Sequence, residues 1–313
     1  MIFPKIKITG TGSHTPSRIV TNDELANKVD TSADWIYKNL GIKERHVVDW
    51  EITSDLACEA SKKAIESSGI DKENIDLIIV ATSTPDRKAP STACIVKHKL
   101  GIKNHCPSFD VAAVCTGFVY ALNLAAAQIH MGLANKVLVI GADCFSSITD
   151  WTRRDSVFFG DGAGAAIVES SQDDVFYHGR IFSETENVDN FTVFPQDTTF
   201  TMNAKAVFET GSKVLPIAIR QVLAETKIEL NDVSCIIPHQ PSRRLLESAA
   251  SNLGVDFSLF KTNMERYANT SGGTVPIILD ETFRSGQINK DDLLVFAAVG
   301  SGWTWGASVL KWS

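Results

Sequence analysis

The sequence predicts an α/β protein built from two similar halves. Two observations carry this. Strand-length apolar runs, such as residues 77–81 and 137–140, alternate with amphipathic helical patterns along the chain, which favours mostly parallel central strands. The order of these runs also repeats. Residues 76–86 have a counterpart in 233–242, and 136–142 followed by 162–168 have one in 293–300 followed by 305–310. The halves are expected at 1–170 and 171–313, joined at the polar stretch Ser170-Ser-Gln-Asp-Asp174.

In chain order, residues 5–9 alternate as a strand and run into a turn at Gly10-Thr-Gly12. Thr21-Asn-Asp-Glu24 and Thr31-Ser-Ala-Asp-Trp35 open two short helices, the second ending near Gly41. Residues 54–69 form an amphipathic helix with Leu56, Ala57, Ala60, Ala64 and Ile65 inward. A buried strand at 75–81, a helix at 90–100 closed by Gly101 and a strand at 108–111 follow. Phe118, Leu122, Ala125, Ala126 and Ile129 recur at helical spacing, so 116–132 reads as a well-buried helix ending at Gly132. Strands are expected at 136–140 and in the Gly/Ala-rich run 160–168, and 184–203 reads as a surface loop.

With 313 residues and 44% hydrophobic content the chain can bury a large core. A net charge of −7 argues against a nucleic-acid binder. The amino-terminal apolar stretch is too short for a signal peptide and no run approaches a membrane span, so a soluble, cytoplasmic protein without membrane contact is expected. The six cysteines show no metal-ligand spacing, and a disulfide framework does not suit a chain of this size and compartment.

Cys115 stands where a short apolar run meets the 116–132 helix. Unpaired N–H groups and the positive dipole end there favour a thiolate, although most isolated cysteines are simply small buried hydrophobes. His239 follows a strand directly, where open α/β sheets place their sites, yet a lone histidine there is slightly more often capped by a carbonyl. Asn269 lies in a polar, Gly-containing loop before an apolar helix and would serve equally as a cap. Val299-Gly-Ser-Gly-Trp303 could expose backbone N–H groups or be a plain hairpin. Together, a thiol, an imidazole, a carboxamide and a glycine-rich turn make a thiol acyl-transfer set.

At this point a resemblance becomes specific. Asp110-Val-Ala-Ala-Val-Cys-Thr-Gly-Phe118, Pro238-His-Gln-Pro-Ser-Arg-Arg244, Asn269-Thr-Ser-Gly-Gly-Thr-Val-Pro276 and Gly302-Trp-Thr-Trp-Gly306 resemble the signatures of β-ketoacyl-ACP synthase III, a family of thiolase-fold condensing enzymes. Lesser matches are Thr31-Ser-Ala-Asp-Trp-Ile36, Gly41-Ile-Lys-Glu-Arg-His46 and Phe159-Gly-Asp-Gly-Ala-Gly164, and the likeness runs from about residue 5 to the end. It implies a five-layer αβαβα fold of two duplicated halves and a homodimer. It also implies a decarboxylative condensation of an acyl-CoA primer with malonyl-acyl carrier protein, starting fatty-acid or related chains. No cofactor is implied beyond the CoA thioester substrate.

By the same resemblance, Cys115 matches the nucleophile, and His239 with Asn269 the pair that holds the malonyl thioester oxygen. The backbone N–H groups of Cys115 and Ser301 match the oxyanion hole, and Trp35 matches a residue that stacks on the CoA adenine. Arg153, or its neighbour Arg154, matches an arginine on the other side of that base. Arg244, with Gln240, matches the carrier-docking mouth.

Some positions depart from the family. Ala89 stands where a bulky aromatic often reaches across the dimer to close the acyl pocket, which predicts a primer larger than acetyl. Glu209 replaces a lysine, and the helix after His239 carries Glu247, Ser251 and Asn252 in place of basic residues, weakening attraction to an acidic carrier. Asn39 replaces a common arginine at the CoA mouth. Ser301 is the middle residue of the glycine turn and Val299 replaces an aromatic; both are expected to reshape the malonyl side. The competing expectation is a specialised acyltransferase or ketosynthase of the same fold, serving a secondary metabolite, lipid or glycan. A non-catalytic partner subunit would usually lose the nucleophile, and Cys115 is present.

Overall fold

The computed structural model describes residues 3–186 and 188–313. The first part of the chain contributes β1 (Ile6–His14), a side ribbon of β2 (Arg18–Thr21) and β3 (Glu44–Val47), then β4 (Leu77–Ala81), β5 (Ser108–Val111), β6 (Lys136–Cys144) and β7 (Asp161–Ser170). The second contributes β8 (Tyr177–Ser183), a short ribbon of β9 (Phe191–Thr192) and β10 (Thr201–Met202), then β11 (Cys235–Pro238), β12 (Leu293–Gly300) and β13 (Thr304–Lys311). The helices are α1 (Asn22–Ala26), α2 (Ala33–Leu40), α3 (Thr53–Ser68), α4 (Thr92–Leu100), α5 (Gly117–His130), α6 (Ala204–Thr226), α7 (Arg243–Leu253), α8 (Met264–Tyr267) and α9 (Thr274–Arg284).

Two sheets form the frame, ordered β1-β7-β6-β4-β5 and β8-β13-β12-β11. Apart from the extra β5 they have the same order, and the repeat seen in the sequence maps β4 onto β11, β6 onto β12 and β7 onto β13. Helices α5 and α9 lie between the sheets and touch strands of both. Helices α3 and α4 cover the outer face of the first sheet, and α6 with α7 the outer face of the second. The result is the five-layer αβαβα arrangement. Sandwiching explains why α5 is apolar nearly all round: Phe118, Val119, Ala121, Leu122 and Ala125 are all fully buried.

Three expectations change. Only β4–β5, β4–β6 and β11–β12 pair in parallel; β1–β7, β6–β7, β12–β13 and β13–β8 are antiparallel. No regular crossover helix intervenes between β6 and β7, and only a tight turn joins β12 to β13, so the chain doubles back. The Gly10-Thr-Gly12 turn is instead the middle of β1. A methyl group at Gly10 would lie 2.3 Å from Ala64 O, and one at Gly12 2.4 Å from Ala60 O, so these glycines let α3 pack directly onto the strand. The 184–203 segment is more than a surface loop, because its β9–β10 ribbon puts Phe191 and Met202 into the wall of the cavity described next.

Candidate active site

Cys115, His239 and Asn269 line one cavity of about 340 Å³. Each is placed by a different element. Cys115 sits in the 3₁₀ turn Val114–Thr116 that feeds α5. Its neighbour Val114 is held at φ 45°, a left-handed conformation unfavourable for a β-branched residue. Ala268 (φ 56°) and Ser271 (φ 52°) show the same strain beside Asn269, so the unusual backbone gathers at this cavity.

His239 leaves the end of β11, and its backbone N–H donates to Ala297 O of β12 at 2.8 Å. Asn269 is stitched to the first half of the chain: its N–H donates to Phe158 O, and its carbonyl accepts from Gly160 N–H. His239 Nε2 lies 3.1 Å from Asn269 Oδ1. The same oxygen accepts the Ser271 N–H at 2.8 Å. That fixes the amide orientation, makes Nε2 the protonated ring nitrogen of His239 and leaves the Asn269 amide nitrogen as the side available to a ligand. Burial pushes the His239 imidazole down to about 4, opposed by its contact with Asn269, so it is neutral at pH 7.

The thiol of Cys115 donates to Ser271 Oγ across 3.7 Å. Burial pushes it up to about 12; the Ser271 hydrogen bond opposes this and the nearby Asp143 charge adds to it. The helix-end preference for a thiolate is therefore outweighed, and the resting residue is a thiol. Beside the thiol's own backbone, a methyl group at Gly300 would lie 3.1 Å from Cys115 N and 2.9 Å from Thr116 Oγ1. Gly300, at the start of the turn, thus lies against the backbone N–H of Cys115.

At the mouth, the Arg154 guanidinium lies 4.3 Å from the Trp35 ring centroid. Arg153 is engaged elsewhere, donating to Phe200 O at 2.9 Å and pairing with Asp155. Of the two arginines the sequence leaves open, it is Arg154 that stacks at Trp35. Arg244 lines the cavity and donates to Asn39 Oδ1 at 2.9 Å. Gln240 is fully buried: its amide donates to Pro238 O and Lys261 O, and its oxygen accepts from Asn263 N–H. With its amide spent inside the protein it cannot meet a carrier at the surface, and it props the His239 loop instead. Ala89 lies exposed on the loop before α4 and does not line the cavity of its own chain. Among the described residues no group of three His, Cys, Asp or Glu side chains could hold a metal.

Some site residues escaped the sequence. Ser271 lies inside the Asn269 motif, but its contact with the thiol depends on how the two halves meet. Buried Asp143, at the end of β6, accepts from Thr82, Ser83 and Thr84 and from Gly272 N–H at 2.9 Å, tying the loop after β4 to the Asn269 loop. Burial without a cation raises its carboxyl. Nothing in the local sequence marks it.

The layered fold, a cysteine at the start of one central helix, a His–Asn pair at the other and a glycine turn between them define a thiolase-fold condensing enzyme. Family models for 3-oxoacyl-[acyl-carrier-protein] synthase III match residues 109–184, and for its C-terminal part residues 223–312. The β-ketoacyl-[acyl-carrier-protein] synthase III of Neisseria meningitidis is 42% identical, covering 98% of this chain and 99% of that one. The crystal structure of 3-oxoacyl-[acyl-carrier-protein] synthase III from Aquifex aeolicus superimposes with a TM-score of 0.95 at 36% identity, covering 98% and 100%. The priming β-ketosynthase of the R1128 polyketide pathway gives 0.93 at 28%, covering 99% and 97%. The chain belongs to the 3-oxoacyl-[acyl-carrier-protein] synthase III family.

Proposed function

We propose that this protein transfers the acyl group of an acyl-CoA to Cys115 and condenses it with malonyl-acyl carrier protein, giving the 3-oxoacyl-carrier that starts an acyl chain. The observation that carries the reading is a neutral His239 in hydrogen-bond contact with Asn269, in the same cavity as Cys115. In the first step Sγ attacks the thioester carbonyl. As the thioester C–S bond breaks, the thiol proton passes to the departing CoA sulfur, while the N–H groups of Cys115 and Ser301 hold the oxyanion. In the second, the malonyl carboxylate leaves as CO2 and its bonding pair becomes an enolate, whose oxygen accepts from His239 Nε2–H and the Asn269 amide. Neither donor is a fixed cation that would hold the carboxylate in place. The carbanion attacks the acyl-cysteine, the C–S bond breaks, and the thiolate takes up one proton from solution.

The two steps separate experimentally. Asn269→Ala is expected to keep self-acylation of Cys115 by acyl-CoA and to lower CO2 release from malonyl-carrier by about 10²–10³, the usual loss for one oxyanion donor. Equal loss of both steps would count against the division of roles.

Trp35 and Arg154 separate to admit the CoA adenine, and Arg244 meets the carrier. Glu209 and Glu247 weaken that docking face, where they pair with Lys205 and Arg243. The halves 1–170 and 171–313 act as two thiolase-like units in a cytoplasmic homodimer. In that dimer Ala89 leaves the partner's acyl pocket open, favouring medium or branched primers over acetyl. A steady fall in Cys115 self-acylation beyond two or three carbons would contradict the primer reading.

A further inference from the structure

The side chain of Ser301 does something separate from its backbone. Its hydroxyl donates to Phe191 O at 2.6 Å. Phe191 begins β9, a two-residue strand paired only with two-residue β10, and a ribbon that short does not hold itself. Two things hold it. One is aromatic packing: the Phe191 ring stacks on Phe200 at 5.2 Å and meets Phe159 edge-on at 5.8 Å, and Phe159 stacks on buried Phe145 at 4.5 Å. The other is the Ser301 hydroxyl. Behind Ser301 the connection continues to the nucleophile: Thr304 Oγ1 donates to Ser301 O at 3.1 Å and lies 3.1 Å from the hydroxyl of Thr116, next to Cys115.

Phe191, Phe159 and Met202 line the cavity that Cys115 opens into. We propose that the Ser301 hydroxyl is a specificity latch: by holding the Phe191 carbonyl it fixes the phenylalanine wall beside the nucleophile and sets the upper length of the acyl group that Cys115 accepts. The inference rests on the acyl-transfer reading above and adds a determinant contributed by the chain itself. A glycine or alanine at 301 would remove the hydroxyl while keeping a backbone N–H at that position.

The test is self-acylation of Cys115 by acetyl-, hexanoyl- and decanoyl-CoA, read by intact mass. In Ser301→Ala the decanoyl-to-acetyl rate ratio should rise about fivefold, the factor one neutral hydrogen bond is worth. Ser301→Thr, which keeps a hydroxyl, should return the wild-type ratio. Phe191→Leu should raise the ratio on its own, and the Ser301→Ala/Phe191→Leu pair should raise it by less than the product of the single effects. An unchanged ratio in Ser301→Ala, or an equal fall with all three thioesters, overturns the latch while leaving acyl transfer standing. Absence of any acyl-enzyme in the wild-type protein overturns both.

Discussion

At the scale of the residue, Cys115 shows burial and hydrogen bonding pulling in opposite directions. A thiol pushed up to about 12 is almost wholly protonated at pH 7, so nucleophilicity has to come from loss of the thiol proton during attack and not from a resting thiolate. A raised value leaves the thiolate scarce below it and more abundant as pH rises. Alkylation of Cys115 by iodoacetamide should therefore be slow at pH 7 and still climbing at pH 10; a plateau near pH 8 would show that the helix end wins after all. That Cys115, His239 and Asn269 belong together was legible because each sits in a motif of several residues. Choosing Arg154 over Arg153 was not, because adjacent side chains diverge and only the fold shows which one reaches Trp35. Gln240 was misassigned for a similar reason: its motif gives its position in the chain but not the three hydrogen bonds that turn it inward.

At the scale of elements, periodicity located α3, α5 and the buried strands, and the internal repeat marked the two similar halves. What it could not give was strand direction, which depends on whether a helix or a tight turn separates two strands. The Gly10-Thr-Gly12 run shows the ambiguity of glycine, which marks a turn or a close approach equally well in sequence. The structure decides for close approach. Gly10→Ala should cost about 1–3 kcal/mol, because the added methyl meets the α3 backbone and not a flexible side-chain end. The measurement is the denaturation midpoint of the variant; an unchanged midpoint would mean that β1 and α3 are not in direct backbone contact. The β9–β10 ribbon was not legible, since two-residue strands carry no periodicity and their placement rests on aromatic packing from distant parts of the chain.

For the whole molecule, duplication is the organising fact. It puts two central helices between two sheets, with Cys115 at the start of one and Asn269 just ahead of the other, so the site exists only where the halves meet. Strand β5 ends the first sheet with one edge unpaired among the described residues, and Phe109 on it is exposed. A dimer that pairs two such edges would be broken by Phe109→Asp, read as a shift to monomer in analytical ultracentrifugation, and an unchanged dimer would place the interface elsewhere. The most direct test of the account as a whole is intact-protein mass after incubation with acyl-CoA, comparing the wild type with Cys115→Ser. The wild type should gain one acyl group and Cys115→Ser none; an adduct retained by Cys115→Ser, or none on the wild type, would contradict the assignment of Cys115 as the acyl carrier.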